Sequence, residues 1–170
     1  QPPTTTSPGF HILIKFPAII ADILLAFLLF FLLRRWKGRM AGFLAAAAFI
    51  FHPAVFYDSA YWGQTDAIVT LFMTAALTAF ALQWTAVSAC FLSVALLTKL
   101  QAISVLPLFG LLFLTSGWKT LLKGIAGFSL TAIVVLLPFA IGNTLESVMH
   151  VYLRAVGHYP IVSSAAYNFW

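Results

Sequence analysis

Uncharged apolar stretches of 15 to 19 residues recur along the chain, separated by short polar breaks. Residues 1–11 (QPPTTTSPGFH) are polar and proline-rich, which predicts a loop. Apolar segments are then predicted at 12–33, 40–56 and 67–82. The first holds a single acid, Asp22, and ends at Arg34-Arg35-Trp36-Lys37-Gly38-Arg39, four cations in six residues. The second is rich in small residues from Ala45 to Ala48, a composition that lets neighbouring helices approach closely. A polar aromatic island, residues 57–66 (YDSAYWGQTD), separates the second segment from the third. In the third, Thr70, Thr74 and Thr78 recur every four residues, a hydroxyl stripe suited to bonding back to its own helix or to a packed neighbour.

Residues 84–118 hold one cation, Lys99. As a single helix they would be about 52 Å long at 1.5 Å per residue, against a hydrocarbon core about 30 Å thick. A hairpin of two short helices, 84–98 and 101–116, turning near Thr98-Lys99-Leu100-Gln101, fits instead. A sixth segment, 121–141, and a polar, amphipathic stretch, 143–160, complete the pattern.

Charge supports the hairpin. With it, Arg34, Arg35, Lys37, Arg39, Lys119 and Lys123 fall on one side of the membrane. Lys15, Lys99 and Arg154 fall on the other, with Asp58, Asp66 and Glu146. The positive-inside rule then makes 34–39 and 116–123 cytoplasmic and puts 57–66, 98–101 and 143–160 outside. The expected fold is all-α: a polytopic bundle of about six helices, several short, forming one membrane domain over residues 1–170.

Composition agrees: 62% of residues are hydrophobic, 8% are charged, and mean hydropathy is +1.02. Soluble domains carry about 25% charged residues, so a soluble enzyme, a nucleic-acid module and a disordered tail are excluded. The single cysteine, Cys90, lies in an apolar run and reads as a small packing residue. Residue 1 is Gln, and the end at Ala165-Ala166-Tyr167-Asn168-Phe169-Trp170 resembles the entrance to a further apolar segment. The chain therefore reads as an internal piece of a longer protein.

Chemistry-bearing groups gather on the predicted outer face. Lys99 either snorkels at a helix end or holds an anion, helped by Gln101 and by the free N–H groups of a helix start. Arg154 is an interfacial cation or a second anion ligand. Asp22 lies seven residues after Lys15, on the same helical face, as a structural tie or a functional intramembrane carboxylate. In the island, Tyr57, Tyr61 and Trp62 stand beside Asp58, Gln64 and Asp66. Aromatic faces next to carboxylates and amides suit sugar recognition, although aromatic residues also anchor helices at membrane interfaces. Asp66 sits where a helix N-cap is expected. Lys99, Gln101, Gln64 and Asp66 are expected to line one cavity. His11, His52, His150 and His158 lack metal-ligand spacing, and no cofactor fingerprint is present, so neither a metal nor a cofactor is assigned.

The succession Lys15-Phe16-Pro17-Ala18-Ile19-Ile20-Ala21-Asp22, His52-Pro53, Trp62-Gly63-Gln64-Thr65-Asp66 and Thr98-Lys99-Leu100-Gln101 resembles bacterial GT-C membrane glycosyltransferases. The similarity is to those using polyprenyl-phosphate mannose or glucose. The ending Tyr152-Leu153-Arg154-Ala155-Val156-Gly157, with Ala166-Tyr167-Asn168, is similar to the segment after the seventh helix in that group. The resemblance implies a multi-pass enzyme of the bacterial inner membrane, with its site on the outer face. It would move a hexose from a lipid-linked phosphosugar to an acceptor hydroxyl with inversion. The partners implied are that donor, an acceptor and membrane lipid, with no nucleic acid. Lys99, Gln101 and Arg154 would meet the donor phosphate. Trp62, Gln64, Asp66 and Tyr61 would hold the sugar, and Lys15, Asp22 and Asp58 would line or brace the site. The short helices between 67 and 116 would leave a groove for the lipid tail. The catalytic base of such enzymes lies in an outer loop that would precede Gln1. A transporter or flippase core, with Asp22 and Lys99 lining a pathway, is the alternative; a non-catalytic scaffold would leave the outer polar cluster unexplained.

Overall fold

The computed structural model describes residues 8–155, which contain α-helices, a π-helical turn and a 3₁₀ turn but no strand. Helix α1 (Pro8–Lys37) begins inside the expected loop of 1–11, whose residues 1–7 lie outside the described part. Proline at a helix start gives up only an N–H that has no intrahelical partner there, so Pro8 opens the helix instead of preventing it. Beyond it come α2 (Arg39–Ile50), α3 (Pro53–Phe56), α4 (Asp66–Ala81), α5 (Thr85–Thr98), α6 (Leu106–Thr115), α7 (Trp118–Ile141) and α8 (Leu145–Ala155).

Ile12–Lys37 of α1 and all of α7 are long and apolar enough to cross a membrane. Arg39–Ile50 with Pro53–Trp62, bent by 48°, makes a third span if the two are taken together. The chain is thus an all-helical membrane protein with two or three helices of spanning length. By contrast, α4 and α5, with 16 and 14 residues, measure only about 24 and 21 Å.

The chain divides into two compact units, one up to Thr131 and one from Ala132. In the first, α1 packs on α2 and α4, and α4 packs on α5. Close approach of α1 and α2 occurs at Gly42: a Cβ there would lie 2.5 Å from the Phe30 carbonyl oxygen and 3.0 Å from the Arg34 nitrogen. The alanine run 45–48, expected to carry such contact, is half-buried over 45–47 and exposed at Ala48. Ala46 and Ala47 line an apolar groove of about 450 Å³ instead.

The single segment expected over 40–56 is broken at Phe51-His52. His52 is extended, its Nδ1 accepts the Ala54 N–H at 3.2 Å, and Pro53 occupies the first helical position. A side-chain cap followed by proline starts a new helix and ends the old one.

The turn expected at 98–101 is present. Lys99 is extended (φ −154°, ψ 131°), and α5 ends just before it. Residues Leu100–Val105 form a 3₁₀ turn, so the α-helix expected from 101 begins at Leu106, with Pro107 in its first turn. Packing runs back along α5: Ala102 shares a cluster with Ala95, and Phe109 and Phe113 share another with Leu92 and Ala89. Phe113 also meets Phe80 edge-on at 5.4 Å. Cys90 is half-buried rather than in the core, its thiol donating to the Gly127 carbonyl at 3.5 Å. Helix α7 starts at Trp118, three residues before the expected 121, directly after Gly117.

In the second unit, α8 occupies 145–155 of the amphipathic stretch expected over 143–160; residues 156–160 lie outside the described part, as do 156–157 and 166–168 of the ending motif.

Candidate functional site

Most of the island 57–66 is helical, with only residues 63–65 between helices. Tyr57–Trp62 continues α3 as a π-helical turn, closed when the N–H groups of Gly63 and Gln64 both donate to the Asp58 carbonyl, at 2.9 and 3.1 Å. Gly63 takes φ +79°, a left-handed conformation that side chains disfavour, and its open α-carbon face lies against the Lys15 methylenes. Lys15 Nζ donates to the Tyr61 carbonyl at 2.7 Å, tying the turn to α1. π-turns inside helices are enriched at functional sites, because the extra residue re-aims neighbouring side chains.

Asp22, seven residues along α1 from Lys15, is 8% exposed. Its hydrogen-bonding neighbour is the hydroxyl of Ser59, itself buried in the π-helical turn. Asp66 is the first residue of α4 rather than its cap; Thr65 holds that position and makes no side-chain cap bond. The Asp66 carboxylate instead pairs with Lys99 Nζ, joining the start of α4 to the break after α5 across 33 residues. Lys99 therefore neither merely snorkels nor stands free for an anion. The side chains are 29% and 48% exposed, so water screens the pair and its net contribution is modest.

A cavity of about 220 Å³ collects these elements. Asp22, Asp58, Ser59, Asp66 and Thr70 form its polar side; Leu25, Phe49, Ala54, Val55 and Ala67 form its apolar side. Among the described residues the ion pairs are Lys99–Asp66 and His150–Glu146, so Asp22 and Asp58 enter none. The cavity is thus net acidic, with one ammonium at its edge. No group of three or more His, Cys, Asp or Glu among the described residues is arranged to hold a metal ion. The arrangement can accept hydrogen bonds from hydroxyls at the carboxylates, and Lys99 can meet an anion only by sharing or giving up Asp66.

Of the residues singled out from the sequence, Asp22, Asp58 and Asp66 share the cavity, Lys99 pairs with one of them, and Lys15 braces the turn. Of the four residues expected to line one cavity, Asp66 does; Lys99, Gln64 and Gln101 are not in its lining. Gln101 is exposed and Gln64 half-buried, because one lies just past the helix break at Lys99 and the other leaves the π-helical turn behind Gly63. The helix start expected beside Lys99 is only a 3₁₀ turn of six residues. Tyr61 and Trp62 also lie outside the lining, 70% and 60% exposed. Tyr57 stacks on Tyr61 at 5.0 Å and meets Trp62 edge-on at 6.1 Å, leaving an aromatic ledge beside the turn. Arg154 is exposed on α8, in the second unit. The threonine stripe bonds back: Thr70 to the Asp66 carbonyl and Thr78 to the Thr74 carbonyl, each at 2.8 Å.

Ser59 and Thr70 were not legible as site residues. Ser59 stood inside the aromatic island, yet nothing local signalled that a widened turn would point it at Asp22. No family model, curated protein or solved structure matches the chain.

Proposed function

We propose that this chain is part of the membrane core of a GT-C-type glycosyltransferase. It would move a hexose from a polyprenyl-phosphate sugar to an acceptor hydroxyl, with inversion, on the outer face of a bacterial inner membrane. In this reading the short helices join the long ones in a polytopic bundle of about six, with 34–39 and 116–123 cytoplasmic.

One observation carries the proposal: three of the motifs behind the GT-C resemblance, 15–22, 62–66 and 98–101, meet within the first unit. Lys15 reaches Tyr61 and Gly63, Asp66 reaches Lys99, and Asp22 shares a cavity with Asp58 and Asp66. Chain-distant polar groups collected in an apolar protein are costly unless they act together.

The chemistry uses groups of this chain together with one base that the resemblance implies. The acceptor oxygen forms a bond to the anomeric carbon as the bond from that carbon to the phosphate oxygen breaks. The acceptor proton passes to the carboxylate base that the resemblance implies. The leaving group departs as an anion, so it needs a cation rather than a protonating acid. Lys99 is that cation, exchanging or sharing Asp66 for the donor phosphate. Carboxylates repel phosphate, so the phosphate lies on the exposed side of Lys99, and sugar hydroxyls face Asp66, Asp58 and the aromatic ledge.

The test is incubation of the full-length protein in proteoliposomes with a panel of polyprenyl-phosphate sugars and radiolabel detection of transfer. Transfer of one sugar class is expected. Asp22, buried within a spanning helix and outside any ion pair, favours a second reading, a transporter or flippase pathway. Movement of labelled lipid or solute across the bilayer, with no glycosidic product, would decide for that reading.

A further inference from the structure

The second unit carries a surface that the proposed transfer reaction does not use. Helix α8 places Glu146, His150 and Arg154 at four-residue spacing, so they form one narrow polar stripe along its whole length. His150 Nε2 lies 3.7 Å from Glu146 Oε1, within that stripe. Successive residues turn by about 100°, which puts Leu145, Val148, Met149, Val151, Tyr152 and Leu153 around the remaining arc. Leu145, Met149, Val151 and Leu153 are 37%, 52%, 68% and 65% exposed, while Val148 and Tyr152 are half-buried, so both flanks of the apolar arc are uncovered by the described chain.

What covers it is set by where α8 begins. Helix α7 is of membrane-spanning length and ends at Ile141. Asn143 takes φ 53°, and the Thr144 N–H returns to the Phe139 carbonyl at 2.9 Å, a left-handed helix closure. The Thr144 carbonyl then accepts the Val148 N–H at 3.2 Å, so the residue that closes α7 also opens α8. Only three residues separate the helices, a reach of about 10 Å. Helix α8 therefore starts at the depth where α7 leaves the hydrocarbon. Carried deeper, it would take Glu146, His150 and Arg154 into lipid; lifted into water, it would expose its apolar arc. A helix lying in the interface satisfies both faces.

We propose that α8 is an interfacial helix, seated in the lipid headgroup region with its apolar arc toward the acyl chains and the Glu146–His150–Arg154 stripe toward water. The stripe carries one acid and one permanent cation, so docking rests on apolar burial and needs no anionic lipid. It does not rest on the glycosyltransferase reading.

Nitroxide labels placed singly at Leu145, Glu146, Met149, His150 and Arg154 of the full protein, in phosphatidylcholine nanodiscs, test this by power saturation. Labels at 145 and 149 should collide with oxygen in preference to an aqueous nickel chelate; labels at 146, 150 and 154 should show the reverse. Adding phosphatidylglycerol should leave the pattern unchanged. Nickel access all around the helix would overturn the proposal, as would exclusion of both reagents at 145 and 149, the mark of a protein partner. A periodicity of about 3.6 residues in these accessibilities shows that the helix persists in the labelled variants; a pattern without it would also count against a lipid seat.

Discussion

The two ends of the first unit use charge differently. At one end, Lys99 pairs with Asp66, Lys15 is bound to the Tyr61 carbonyl, and Asp22 is buried against Ser59. At the other, Arg34, Arg35, Lys37, Arg39, Lys119 and Lys123 are all exposed and none enters an ion pair. Arg34 lies only over the Phe30 ring, 5.9 Å from its centre. Solvated cations at a membrane edge set orientation through their number, and each one is replaceable. Charges built into a turn, a cavity and a helix break are individually placed, so changing one has a local and specific effect. The contrast separates solvated, unpaired charge from charge that the fold holds in place.

The largest effect that would sharpen this contrast is at Lys99. Under the proposed transfer, Lys99→Met in the full-length protein should reduce donor use about 10- to 150-fold, the loss of a charge-assisted bond of roughly 1.5–3 kcal/mol. Lys99→Arg should retain part of the activity, since charge survives while geometry changes. Steady-state kinetics with the polyprenyl-phosphate sugar measure both. Next is Gly42, at the basic end, where packing rather than charge is expected to matter. Gly42→Ala meets the Phe30 carbonyl and should destabilise the protein by about 1–3 kcal/mol. Gly110→Ala meets nothing within 4 Å and should leave thermal unfolding in lipid unchanged or slightly raised.

A smaller effect is expected at Ser59. Ser59→Ala removes the hydroxyl partner of Asp22 and should cost about 1 kcal/mol of stability, with reduced transfer. Smallest is any one of the six basic-end cations changed to Gln: turnover should stay within about twofold, under 0.5 kcal/mol. A basic-end variant as damaging as Lys99→Met would break the comparison outright.

Much of the fold was legible because the membrane allows few solutions. Lys99 in a 35-residue apolar run had to mark a break, since one helix that long overshoots the bilayer, and α5 does end there. Asp22 declared itself as the lone acid in a spanning helix. The Lys99–Asp66 pair was not legible: its members are 33 residues apart and meet only once α4 and α5 are packed. Ser59 needed the π-helical turn to be seen, and that turn depends on Gly63 fitting against Lys15. Gly42 was outshone by the alanine run, although a missing Cβ, not a small one, is what the Phe30 carbonyl requires. Pro8 looked like a loop residue for the same reason that it suits a helix start.

The central claim is that Lys99 acts on substrate and is not merely tied to Asp66. Its most direct test is transfer from a polyprenyl-phosphate sugar by the full protein carrying Lys99→Asp together with Asp66→Lys, compared with each single change. The swap restores an ion pair between α4 and the break after α5, so thermal stability should return to near that of the unaltered protein. Transfer should remain as low as in Lys99→Met, because the cation no longer stands at position 99. Recovery of transfer along with stability would contradict the account and leave the pair a structural tie.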